Sequence, residues 1–229
     1  MRGRSALCTL GLFFLAPALL LLSFEWAVFD HGYHLRLHEQ LNSAAATGLS
    51  FEDLQRASDA LLDYLADERA DIALTATVYG VPGQAVFNPR EELHMRDVLH
   101  LFRLERAVRT ALLAAAAVCL LLGLVRDPIW RVRLRRCGLW ALGAWLLLFA
   151  LVAIWAAADF EGLFIQFHHL LFTNALWQMD PATDLMIRML PQAFFEAMAG
   201  RIAAFMAGAF ALAAALCCLP AAFNRRKRA

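Results

Sequence analysis

Two histidine-bearing stretches of this chain carry side chains that can move protons. In FNPREELHMRDV, residues 87–98, Asn88 is a good N-cap, Pro89 suits the first helical position and Glu91 completes a capping box. A helix is therefore predicted to start there and to carry His94 in its second turn. Asp97 follows three residues on, on the same face, where it can orient His94 or raise its basicity. The second stretch, residues 164–195, reads FIQFHHLLFTNALWQMDPATDLMIRMLPQAFF. It holds the adjacent pair His168 and His169, the amide of Asn174, Trp177, and the carboxylates of Asp180 and Asp184. It is too polar to cross a bilayer, too apolar for an ordinary loop, and flanked by long apolar runs. Ionisable residues held between membrane spans are functional-site candidates. An imidazole titrates near ~6.5 and so can take up and return a proton at neutral pH. A His–Asp pair on a helix is commonly a surface hydrogen bond, and a histidine among aromatics is commonly structural. Spacing by itself leaves both roles open.

The elements that must position these residues are membrane spans. Of the 229 residues 61% are hydrophobic and the mean hydropathy is +0.56, which places the chain among integral membrane proteins. Four runs are long enough to cross the hydrocarbon core, about 6–29, 108–125, 137–158 and 202–223. The first has a basic start, Arg2 and Arg4, like a signal peptide. Glu25 and Trp26 follow its long apolar part in place of a small-residue cleavage site, so it reads as a retained anchor, with a cleaved signal peptide as the alternative. The connection 126–136, RDPIWRVRLRR, carries five arginines and one acid, and the tail carries Arg225, Arg226, Lys227 and Arg228. The positive-inside rule makes these segments and the basic N-terminus cytoplasmic. Segments 30–106 and 159–201 then face outward in a single four-span membrane domain. The expected fold class is all-α integral membrane, with extracytoplasmic helical segments and a small β-hairpin. The net charge of +1 and the absence of a basic domain give no reason to expect nucleic acid. The five cysteines lie in or beside apolar runs, so no disulfide framework is expected.

In the first outward segment His31, His34 and His38 recur at i, i+3 and i+7 and share a helix face. A metal site is one reading; an interfacial polar face is the favoured one, because neither Asp30 nor Glu39 falls on that face. Ser50–Asp71 reads as an amphipathic helix capped by Ser50 with Asp53, its apolar face formed by Phe51, Leu54, Leu61, Leu62 and Leu65. Leu74–Tyr79 and Gln84–Phe87 are β-prone, with Gly80, Pro82 and Gly83 as the turn between them. In the second outward segment Phe164, Phe167, His168, Leu171 and Phe172 recur at helical spacing, as in a helix lying in the interface. Asp180-Pro181 is a cap-plus-N1 signal for a short helix ending before Pro191. Glu196 and Arg201 read as interfacial anchors, and Arg103, Arg106 and Arg109 as residues near the headgroups.

FNPREELHMRDV resembles the H-M-x-D-V segment of the bacterial lipoprotein intramolecular transacylase (Lit) family. FHHLLFTNALWQMDPATDLMIRMLPQAFF is similar to that family's F-H-x-x-F-F-x-N-x-x-W segment, followed by D-P-x-x-D and P-x-x-F-F, with Leu171 where the family usually has Phe. LSFEDLQRASDALLDYL is similar to its helix after the first span. The match runs in order through nearly the whole chain. The resemblance implies a membrane acyltransferase that acts on mature lipoproteins. It moves the sn-2 acyl chain of the diacylglyceryl group onto the α-amine of the N-terminal cysteine and leaves a lyso-form lipoprotein. It also implies His94 and His168 as the catalytic pair, with His169 at a variable position. The implied partners are a membrane lipoprotein substrate and the phospholipid bilayer, and no cofactor or metal is expected.

Aminolysis of an ester needs a free amine, a proton acceptor and stabilisation of the oxyanion. A protonated His94 held by Asp97, or the amide of Asn174, would supply the last. Which histidine is the base stays open. Asp97, Asn174, Trp177, Asp180 and Asp184 are the supporting residues, and Phe164, Phe167 and Phe172 the candidates for seating acyl chains. The outward segments contain no cysteine and the chain no G-x-S-x-G elbow, which favours direct transfer within one bound substrate over an acyl-enzyme. Two other classes compete. A haem-binding electron carrier would place axial histidines in facing spans, and the second, third and fourth runs contain none. A non-catalytic membrane sensor or partner-binding protein would work without His94 and His168.

Overall fold

The computed structural model describes residues 2–225. In chain order the elements are α1 (Arg2–Val28), α2 (His31–Gln40), α3 (Ser43–Thr47), α4 (Phe51–Leu65), β1 (Thr75–Val78), β2 (Val81–Ala85), α5 (Pro89–Leu124), α6 (Trp130–Ala158), α7 (Phe160–Leu171), α8 (Leu185–Met189) and α9 (Gln192–Arg225). Among the described residues α1, α5, α6 and α9 are long and apolar enough to cross a membrane, their most apolar stretches having mean hydropathies of 2.3, 2.2, 2.3 and 1.9. This is an all-α integral membrane fold with one small antiparallel hairpin. The basic tail 226–229 lies outside the described residues.

The chain divides into two compact units. Of the described residues, the first comprises 2–25, 105–158 and 202–225. Its core is Cys8, Leu12, Ala16, Cys137, Ala141, Leu142, Phe210 and Cys217, with Trp145 and Phe149 packed against it. Small residues let α1 approach α5 closely: a Cβ on Gly123 would stand 3.1 Å from the Cys8 backbone nitrogen. Arg106 and Arg109 are not free for headgroups, since both pair with Glu25. An intramembrane acid is costly unless compensated, and the two guanidiniums compensate this one.

The second unit comprises 26–104 and 159–201. The amphipathic helix forms as α4, with Ser50 accepting from the Asp53 amide at 3.0 Å and Leu54, Leu61, Leu62 and Leu65 buried. It stops at Leu65, six residues short of the expected end. Asp67 takes a left-handed φ of 69° and its carboxylate accepts two bonds from Arg103. Phe51 is 42% exposed and lies off the buried face. The hairpin turn is Tyr79-Gly80, both at positive φ (48° and 81°), which suits a tight two-residue connection. Pro82 and Gly83 fall inside β2 rather than in the turn, and the register shifts between Ala76 and Val78.

The turn docks on the end of α3. The Tyr79 amide donates to Gly48 O at 2.9 Å, and its hydroxyl donates to Ala46 O at 3.0 Å. Gly48 has φ +71°, and a Cβ there would stand 2.5 Å from the Tyr79 ring. Gly48→Ala is therefore expected to lower stability by about 1–3 kcal/mol, read as a drop in the thermal unfolding midpoint.

The histidine face of α2 disperses. His31 meets Asp59 at 2.6 Å, His38 contacts the hydroxyls of Ser43 and Ser58 at 3.3 and 3.2 Å, and His34 packs edge-on against Phe194. Burial pushes His34 and His38 down to about 4. Arg201 is no free anchor: its guanidinium pairs with Asp30 and lies 4.0 Å from the Tyr33 ring centroid, tying the start of α9 to α2.

Candidate functional site

The site is assembled within the second unit from the first turns of α5, the helix α7, and the loop that leads to α8. The expected capping box forms. Asn88 Oδ1 accepts from the amides of Arg90 and Glu91, and the Asn88 amide donates to Glu91 Oε2 at 2.7 Å. His94 follows in the second turn and is 7% exposed. On the other side Asp159 caps α7 by accepting from the Gly162 amide at 2.8 Å, and α7 delivers His168, also 7% exposed. The two imidazole centroids stand 6.3 Å apart with 32° between planes, although 74 positions separate them in the chain.

Aromatic rings enclose the pair. Phe164, Trp177, Phe167 and Phe172 have centroids 4.1, 4.8, 5.5 and 5.6 Å from that of His168, and Phe172 is also 5.1 Å from His94. Phe172 is buried, whereas Phe167 is 52% exposed and turns part of its ring outward. His169 is exposed and touches only the edge of Trp177 among these rings.

The two histidines differ in what binds them. His168 Nδ1 lies 2.7 Å from Phe164 O. A carbonyl only accepts, so Nδ1 carries the proton and the neutral ring presents Nε2 as a lone pair. His94 Nδ1 is buried without a hydrogen-bond partner among the described residues. Asp97 does not take it, contrary to the expectation of a His94–Asp97 pair. Its carboxylate accepts instead from Asn174 Nδ2 at 2.8 Å, so Asp97 and Asn174 join α5 to the loop after α7. Burial first, and the neighbouring His168 second, push His94 down to about 4 despite the opposing field of Asp97. Burial also lowers His168, against its bond to Phe164. Both rings are thus neutral at pH 7. An imidazolium at His94, one of the expected oxyanion stabilisers, is absent from the resting site.

Asp180 and Asp184 do not reach the imidazoles. They shape the loop that carries Trp177. Asp184 accepts from Asn88 Nδ2 and from the Asp180 amide, both at 2.8 Å, and Asp180 accepts from the Ala182 amide. Because residues 181–183 form a turn around Asp180, the short helix begins at Leu185, not at Pro181.

Two residues that local patterns show only as parts of a helix start join the segments. Glu91, 1% exposed, accepts from the Met186 amide at 2.6 Å. Arg90 donates to Ala175 O and Gln178 O, each at 2.7 Å. The capping box was the only sequence signal for Glu91, because its far partner lies 95 positions away. Glu91→Ala leaves two amides without an acceptor and is expected to cost roughly 1–3 kcal/mol. Glu91→Gln is expected to fare little better, since its N–H would face another N–H. Thermal unfolding of the purified variants checks both.

Among the described residues no group of three or more His, Cys, Asp or Glu side chains is placed to hold a metal. The arrangement can accept a proton at His168 Nε2, beside a second neutral imidazole and among aromatic rings.

No curated protein matches the chain. Among solved structures it is similar to the membrane integral lipoprotein intramolecular transacylase Lit from Bacillus cereus, with TM-score 0.74 and 20% identity over 100% of this chain and 98% of that one. Two forms of the same bacterial protein, in which one histidine is replaced by alanine or by arginine, are similar too. Each has TM-score 0.72 and 21% identity, and they cover 98% and 99% of this chain and 95% and 94% of theirs. At this identity the likeness shows the fold. The family model for lipoprotein intramolecular transacylase Lit matches residues 9–195, a stretch that holds both histidine segments. This integral membrane protein therefore belongs to the lipoprotein intramolecular transacylase family, and is an acyl-transferring enzyme.

Proposed function

We propose that the chain transfers the sn-2 acyl chain of a diacylglyceryl lipoprotein to the α-amine of its N-terminal cysteine, giving the lyso-form, with His94 and His168 as the catalytic pair. The observation that carries this reading is the convergence of two neutral imidazoles, 6.3 Å apart, in an aromatic enclosure. The free amine attacks the ester carbonyl, a C–N bond forms, and the amine proton passes to His168 Nε2. The C–O bond to glycerol then breaks and the sn-2 oxygen takes up a proton, so that no net proton is gained or lost. His94 stands across the pair to hydrogen-bond the oxygen that gains charge, while the bond between Asn174 and Asp97 fastens the loop after α7 to α5, the helix that carries His94. Holding amine and ester in one molecule supplies proximity. Phe164, Phe167 and Phe172 with Trp177 seat the lipid beside the pair.

The basic connection 126–136 and the basic termini support an orientation with both ends cytoplasmic and the histidines at the outer leaflet. The substrate then meets the enzyme from the bilayer. The test is expression in a bacterial host that lacks its own N-acylation step, followed by mass spectrometry of a lipoprotein's N-terminal peptide. Appearance of the N-acyl, lyso-glyceryl peptide supports the proposal; an unchanged diacylglyceryl peptide with a free amine overturns it.

A further inference from the structure

Helical periodicity puts Arg96, His100 and Arg103 on one face of α5, roughly opposite His94. That face borders a cavity of about 520 Å³ whose far wall is the chain just after α4. Tyr64 and Leu99 give it a buried apolar floor. Its charges are unevenly satisfied. Arg103 is matched by Asp67 at 2.7 and 2.5 Å. Arg69 donates to the carbonyls of Asp71 and Ala73 at 2.7 and 2.8 Å, which fixes the guanidinium without neutralising it. The Arg96 guanidinium has no hydrogen bond or ion pair among the described residues, and neither has the Glu68 carboxylate on the rim. Three guanidiniums against two carboxylates leave one net positive charge among these five groups.

We propose that this cavity binds the phosphate of an anionic glycerophospholipid headgroup. A phosphodiester carries one negative charge and accepts the paired N–H groups of a guanidinium, here those of Arg96 with Arg69 beside it. The lipid is the fitting source because α5 leads from the cavity into an apolar span. Arg103, on the rim, is five residues before Val108, about 7.5 Å of helix, which is the depth of a headgroup layer. The apolar floor suits the glycerol end of such a lipid. The site is separate from the imidazole pair and holds a lipid that is not the acyl donor.

The experiment is native mass spectrometry of the full-length detergent-solubilised protein, titrated with short-chain phosphatidylglycerol, phosphatidylcholine or inorganic phosphate. The expected result is one phosphatidylglycerol adduct retained in preference to phosphatidylcholine and weakened about tenfold in the Arg96→Gln, His100→Gln double variant. Both residues are exposed, and circular dichroism checks that the variant is folded. Equal retention of phosphatidylglycerol by the variant and the parent overturns the site. Equal retention of the two lipids overturns the recognition of charge. Displacement of phosphatidylglycerol by inorganic phosphate at matching concentration assigns the site to a free anion and overturns the lipid.

Discussion

His168→Ala is expected to abolish the lyso-form product, with kcat/KM falling by about 10²–10⁴-fold, the usual worth of a positioned acid–base group. The residue combines three properties that its neighbours do not share. Its Nδ1 proton is committed to Phe164 O at 2.7 Å, which leaves Nε2 free to accept. Its ring is buried among Phe164, Phe172 and Trp177, so water competes poorly for the incoming proton. It faces a second imidazole at 6.3 Å. His94→Ala is expected to lose a similar factor, and the double variant little more than either alone, because the two act on one transition state. His169→Ala is expected to stay within a few-fold of the parent, its ring being exposed and off the pair. Mass spectrometry of the N-terminal lipopeptide reads all four outcomes. Full product from His168→Ala would remove it from the mechanism.

The pH dependence is the second large effect. A histidine whose pKa is depressed by burial stays in its neutral, proton-accepting form at every pH above that value. His94 is pushed down to about 4 and His168 is lowered in the same direction. Neither should impose an ordinary imidazole's inflection near ~6.5 or limit the rate above it. The substrate's α-amine should, because it titrates near ~7.7–8.0 and attacks only as the free base. We expect kcat/KM to rise about tenfold per pH unit up to roughly pH 8 and then level off, with no inflection near 6.5. A rate that levels off above pH 6.5 would mean that an ordinary, solvated imidazole controls the reaction. The same burial gives a stability signature of opposite cause. His34, His38 and His94 must charge on unfolding in acid, so their contribution is complete above ~6.5 and is lost as pH falls toward about 4. A pH scan of the thermal midpoint separates this effect from catalysis.

What the sequence by itself determined is everything carried by short-range periodicity and by length. The long apolar runs had to become helices able to cross a bilayer, since a spanning segment must satisfy its own backbone. Ser50 and Asn88 announced helix starts because a cap is a contact between residues three apart. The long motifs around His94 and His168 were legible because each is contiguous. The tertiary structure alone decided which partner each polar group takes. Asp97 sits on His94's helix face yet bonds Asn174, 77 positions away. Glu91 closes a local cap and also holds Met186. Asp180 promised a helix start, but its carboxylate is spent on the Ala182 amide and residues 181–183 stay a turn. For Asp97 and Glu91 a far partner competes with near ones for the carboxylate. That competition is settled only once distant segments share the same buried space, where an unmet donor costs more than a local preference gains.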